Sequence, residues 1–128
     1  MIENSLANEI MVAANEVHSV LGPGFSDSIY EICLAIKLTN RHLCFERQMS
    51  MSVAEGQYAE LMPLKLDFLV ENKVIVKVKA VEELLPVHTL ELITCQKLTR
   101  CKVALLFNFN EPVLQNGTKC IVNGYRWF

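Results

Sequence analysis

The 128-residue chain has no apolar run long enough to cross a bilayer, so no spanning helix is expected. Its first residues lack a basic segment followed by an apolar one, so no secretory leader is expected either. The five cysteines (Cys33, Cys44, Cys95, Cys101, Cys120) form no CxxC pair and no zinc-ligand spacing, and an odd number cannot all pair. Reduced thiols packed as small hydrophobes in a cytoplasmic protein are the expectation. Neither sign of charge dominates: the formal net charge is −2, which gives no overall electrostatic case for nucleic acid, so any basic surface must be local. There is no repeat, linker or low-complexity segment. What remains is 52% hydrophobic and 20% charged, the balance of a globular chain, and residues 1–128 are read as one domain with a real core.

Apolar spacing over Leu6, Ile10, Ala13, Val17, Val20 and Leu21 predicts a first helix, stopped by Gly22-Pro23-Gly24. Ser26 or Asp27 is placed to cap a second, with Ile29, Ile32, Cys33 and Ile36 inward and an end near Asn40. From Leu43 to Val53 the period changes to two, with Arg47 as the exception on the apolar side. Glu55-Gly56 reads as a hairpin turn, Leu64 to Val70 as the returning strand, and Glu71-Asn72-Lys73 as a second tight turn. Pro86 precedes a helix from about Val87 to Thr99, with Leu90, Ile93, Cys95 and Leu98 as core candidates. Strands over Lys102–Phe107 and Cys120–Val122 follow, and Asn116-Gly117-Thr118 reads as a turn. The order α-α-β-β-β-α-β-β implies a mixed central sheet flanked by helices, an α/β fold.

One stretch resists a purely structural reading. In "VIVKVKA", Val74, Val76 and Val78 share one face of a strand, while Ile75, Lys77 and Lys79 share the other. Two like charges at that spacing are unfavourable unless something answers them. A lone carboxylate, Asp67, stands ten residues before Lys77 inside "LKLDFLV".

"GPGFSDSIYE", "FERQ", "LDFLVENKVIVKVKAVEELLPVH" and "NFN" together resemble the GxxExxY proteins, small prokaryotic members of the PD-(D/E)XK nuclease superfamily. The resemblance runs from about Glu9 to Val122 and keeps the motif order. It implies a nuclease-like core in which a strand Asp and a Glu-x-Lys on the next strand hold a divalent metal beside the scissile phosphate. Asp67 matches the Asp and Lys79 the catalytic Lys, but the position of the Glu is Lys77. Gly24 and Tyr30 match the naming motif, whose Glu is here Asp27. Glu91 and Cys95 stand where the following helix usually offers a Gln and a Tyr, and His88 is retained.

The chemistry explains what those changes imply. Hydrolysis of a phosphodiester needs an activated water and relief of charge on phosphate oxygens; Mg²⁺ (or Mn²⁺) supplies both and wants oxygen ligands. A charged lysine has only N–H donors, so Lys77 cannot ligate the ion. It also repels it: unit charges 4 Å apart interact by roughly 4 kcal/mol at an effective dielectric near 20. Two readings follow. In the first, Lys77 neutralises Asp67 directly, the protein is weak or inactive as a nuclease, needs no cofactor, and serves as a binding or assembly module. In the second, Asp27, Asp67 and Glu91 form a relocated carboxylate cluster and the protein is a divergent Mg-dependent nuclease. Asp67, Asp27 and Glu91 are thus the metal candidates, Asp67 and Lys79 the catalytic ones, and Lys77, Tyr30 and His88 further site positions. DNA or RNA is the partner the resemblance implies, a homo-oligomer is permitted, and no membrane is involved. Tyr30 is either core or a hydroxyl that reaches the site, and His88 is most simply a polar residue of a helix's first turn. His18 and His42 lack ligand spacing, and the basic residues Lys37, Arg41, Arg47, Lys97, Arg100 and Lys102 are scattered.

Overall fold

A computed structural model describes residues 3–52, 63–122 and 125–126. Helices α1 (Glu3–Leu21) and α2 (Asp27–Asn40) are followed by strands β1 (Phe45–Ser52), β2 (Pro63–Val70) and β3 (Val74–Lys79). Helix α3 (Pro86–Thr99) then leads to β4 (Val103–Asn108), β5 (Thr118–Val122) and a two-residue β6 (Tyr125–Arg126). The strands lie side by side in chain order; β3 and β4 are parallel, joined by α3, and every other neighbouring pair is antiparallel. This is the α/β mixed sheet expected, with β6 added. The anticipated turn at Glu55-Gly56 and the terminal Trp127 and Phe128 lie outside the described residues.

Two apolar layers sandwich the sheet. On one face α1 and α2 pack Leu6, Ile10, Val17, Tyr30, Leu34 and Leu38 against Phe68, Val74, Val76, Val78, Leu105 and Phe107. On the other, Leu92 and Cys95 of α3 meet Leu66, Ile75, Ala104, Leu106 and Ile121. Helix α1 ends where Gly22, at φ +66°, returns its N–H to the His18 carbonyl at 2.8 Å. The 71–73 turn forms as expected: Glu71 and Asn72 both take positive φ, and the Lys73 N–H bonds the Val70 carbonyl at 2.9 Å. Asn116-Gly117 falls in a single 3₁₀ turn, Leu114–Gly117.

Two helices are rotated from the expected faces. In α2, Ile29, Ile32 and Ile36 are exposed, and Tyr30, Leu34 and Leu38 are buried with Glu31. Apolar residues surround this helix, so spacing alone fits either stripe; the larger aromatic and the leucines won the sheet. In α3, Leu92, Cys95 and Gln96 are buried, while Leu90 and Leu98 face outward and Ile93 is half-buried. Gln96 enters the core with its Nε2 donating to the Lys102 and Ile121 carbonyls, at 3.0 and 3.1 Å, while its Oε1 has no hydrogen-bond partner among the described residues.

Candidate functional site

The site begins with a fault in the sheet. Leu66 belongs to the α3 layer and Phe68 to the α1/α2 layer, although residues two apart in a regular strand share a face. The β1–β2 register runs unbroken on either side, which sets Gln48 opposite Asp67, and Gln48 takes φ +55°. Pairing of β2 with β3 covers only Phe68–Val70 against Val74–Val76. Beyond Phe68 the strands part. The Val78 N–H, left without a β2 carbonyl, donates instead to Asp67 Oδ2 at 2.7 Å. Asp67 therefore sits at the fork and splices its two arms through its side chain.

Alternation along β3 carries Lys77 and Lys79 onto the α3 face, as expected. Lys77 is buried, 8% exposed, and its ammonium lies 3.5 Å from Glu91 Oε2 on α3. The direct Lys77–Asp67 pair anticipated from the sequence is thus replaced by a Lys77–Glu91 pair. The reason is topological: α3 passes over β3, and Glu91, one turn before Cys95, reaches the lysine from above. Asp67 remains within the field of both lysines. Its proton affinity is raised, first by burial and then by the charge of Glu31; the Val78 hydrogen bond, Lys77 and Lys79 oppose the rise. Cys95 lies among Lys77, Glu91 and Asp67, and burial pushes its thiol up.

The α2 acid whose charge acts on Asp67 is Glu31, which carries no motif position in the sequence, and not Asp27. Asp27 is exposed in the first turn of α2. Glu31, one turn later, is buried at 8% exposed; its Oε1 accepts from Arg47 Nη2 at 3.3 Å and from Gln48 Nε2. Two acids at i and i+4 beside the buried Tyr30–Leu34–Leu38 stripe were the available signal, hidden by assigning the isoleucines inward. Arg47, the polarity exception in its strand, is explained by the same contact and by lying 5.6 Å over the Phe68 ring.

Tyr30 performs a different task from reaching the site. Its hydroxyl donates to the Gly22 carbonyl and accepts the Phe25 N–H at 3.2 Å, and its ring stacks on Phe109 at 4.6 Å. It ties the Gly-Pro-Gly turn to the core. His88 does open α3: its Nδ1 accepts the Leu85 N–H at 2.9 Å, and its backbone N–H donates to the Leu85 carbonyl at 3.0 Å. Its proton affinity is lowered by burial first, then by Lys79. Asn108, in the "NFN" motif, is buried and clasps Val81 through both amide atoms, at 3.0 and 2.9 Å, holding the chain after β3. His18 is a satisfied donor, bonded to the Glu111 carbonyl at 2.7 Å.

The assembled groups are therefore Asp67 and Glu31 at the fork, the Lys77–Glu91 pair beside them, and Lys79 and His88 toward the start of α3. Among the described residues, no three His, Cys, Asp or Glu side chains are grouped as metal ligands. A family model described as the PD-(D/E)XK nuclease superfamily matches residues 4–121. No curated protein and no solved structure matches the chain.

Proposed function

The chain belongs to the PD-(D/E)XK nuclease superfamily, and from that premise we propose that it is a domain of the GxxExxY type with a degenerate metal site, weak or inactive in phosphodiester hydrolysis, that acts as a binding or assembly module. The observation that carries this reading is the Lys77 ammonium, buried where the superfamily has a metal-binding Glu and 3.5 Å from Glu91. The donors present suit a hard divalent cation poorly. Glu91 is answered by Lys77, Glu31 by Arg47 and Gln48, and one Asp67 oxygen by the Val78 N–H. An entering Mg²⁺ would have to displace fixed positive charge to gain oxygen ligands it prefers to keep as water.

The other reading, a Mg-dependent nuclease with Glu91 as a relocated acid, is favoured by one fact: Glu91 does reach Lys77 on β3. It would require the Lys77–Glu91 pair to open. Incubation of the wild type and Asp67→Asn with plasmid and with single-stranded DNA and RNA, in Mg²⁺ or Mn²⁺, separates the two. The proposal expects no cleavage above the Asp67→Asn background. Metal-dependent cleavage that Asp67→Asn abolishes would establish the second reading.

A further inference from the structure

The rotation of α2 leaves an apolar row that the fold itself does not use. Ile29, Ile32 and Ile36 are 40%, 50% and 55% exposed, and Phe25, just before the helix, is 46% exposed. At about 100° per residue the three isoleucines lie within roughly 60° of arc, opposite the buried Tyr30–Leu34–Leu38 stripe. Only uncharged residues flank them: Ser28, Cys33, Thr39 and Asn40. The charges of the helix lie elsewhere. Glu31 is buried against Arg47 and Gln48, Lys37 leans to Glu16 of α1 at 3.6 Å, and Asp27 falls at the angle of Leu34 and Leu38. A surface helix ordinarily turns its charged side to water. Here the outward side carries no charge. Phe25 is held ready at one end of the row. Its N–H donates to the Tyr30 hydroxyl at 3.2 Å and its ring meets the Tyr30 ring edge-on at 6.1 Å, which fixes the residue while leaving nearly half of it open.

The spacing points to the occupant. Positions 25, 29, 32 and 36 are separated by four, three and four residues, the alternation of one helix lying along another. The series reads the same from either end. A second copy laid antiparallel therefore sets Ile29 against Ile32 of that copy and Phe25 against its Ile36, and the two-fold axis makes each contact twice. Antiparallel helices also set opposite dipole ends side by side. A face without charge meets itself without repulsion, and the net charge of −2 adds little. Four half-exposed side chains make an apolar patch on the order of 350 Å², a size that on a monomer is often functional. The pair buries less than about 1,200 Å² in total, the range of weak, reversible association.

We propose that α2 is a self-association surface, through which two copies of the chain pair antiparallel by Phe25, Ile29, Ile32 and Ile36 into a weak two-fold dimer. The inference goes beyond the metal-site reading and does not rest on it, because α2 and α3 cover opposite faces of the sheet.

The test is sedimentation equilibrium from about 5 to about 500 µM protein. The wild type is compared with Ile29→Glu, with Ile32→Lys and with an equimolar mixture of the two. Leu90→Glu, at an exposed apolar position on α3, is the control. Ile29 is the third residue of α2 after the N-cap Ser26, where a Glu completes a capping box, and Ile32 is half exposed, so both variants keep the fold. Circular dichroism checks this. Expected are a wild-type dissociation constant on the order of 0.1 mM, at least tenfold weakening in each single variant, and no change in Leu90→Glu. The mixture should recover a dimer within about threefold of the wild type, since the introduced Glu then faces the introduced Lys. A wild type that stays monomeric overturns the second copy as occupant and leaves the face to a different protein. A dimer that both variants leave intact, or that Leu90→Glu weakens equally, overturns the surface. Two monomeric variants whose mixture also stays monomeric overturn the antiparallel pairing. None of these outcomes touches the metal-site reading, which rests on Lys77.

Discussion

Asp67 acts here as a hydrogen-bond acceptor for the backbone of the neighbouring strand, and that role has a measurable cost. Its carboxyl sits above its ordinary value of 3.8 because burial and Glu31 disfavour the charge. The native state thus keeps a proton over a pH window in which the unfolded chain has lost it. Stability falls as pH rises from the usual carboxylate range through the raised value, and the deficit is complete above it. Asp67→Asn keeps an oxygen for the Val78 N–H and removes the charge. It should stabilise the protein at pH 7 and raise its melting temperature, with the gain vanishing as pH falls into the usual carboxylate range. Melting curves from pH 3.5 to 8 check this; a variant less stable at pH 7 would show that Asp67 is held as a favourable ion. The anomaly of Asp and two lysines in a central sheet was legible in the sequence, because period-two alternation fixes which residues share a face. The partner of Lys77 was not, since which helix crosses over β3, and at what angle, depends on packing that no local spacing encodes.

At the scale of elements, existence and order were readable and helix faces were not. Strands announce their faces by alternation, but α2 carries apolar residues on every side, and the choice between Ile29–Ile32–Ile36 and Tyr30–Leu34–Leu38 is made by fit to the sheet and to Phe109. That misassignment also concealed Glu31, which travels with the buried stripe. The rotation makes opposite demands on two neighbours. Leu34→Ala should cost about 2–5 kcal/mol, the range for emptying a tight core site. Ile32→Ser, at 50% exposed, should change stability by less than about 0.5 kcal/mol. Urea denaturation of the two variants decides; a large loss in Ile32→Ser with little in Leu34→Ala would return the isoleucines to the inside. The break between Leu66 and Phe68 belongs to this scale too. Nothing in "PLKLDFLV" marks it beyond the charged residue itself, and it is this fork that separates Asp67 from a regular strand position.

For the molecule as a whole, the order of elements anticipated an α/β chain and the cysteine spacing free thiols, and all five cysteines are unpaired in the structure. Their exposure orders their reactivity. Cys44 is exposed, Cys33 half-buried, and Cys95, Cys101 and Cys120 are buried, with burial raising the Cys95 and Cys120 thiols. Ellman's reagent should react quickly with Cys44, slowly with Cys33, and with the rest only after unfolding; fewer than five thiols in denaturant without reductant would contradict this. Among the described residues no helix is long and apolar enough to cross a membrane.

The distribution of charge is what the proposed function turns on at this scale: on that reading the superfamily's fold is kept while Lys77 reverses the sign at one metal-binding position. Calorimetric titration of Mn²⁺ and Mg²⁺ into the wild type, Asp67→Asn and Lys77→Glu, with thermal melts of each in EDTA and in metal, tests it most directly. The account predicts that the wild type binds metal no better than Asp67→Asn. Lys77→Glu should gain affinity and melt lower in EDTA, because new like charge then faces Glu91 and Asp67, with metal restoring much of the loss. Wild-type binding that Asp67→Asn removes, with Lys77→Glu conferring no gain, would contradict it.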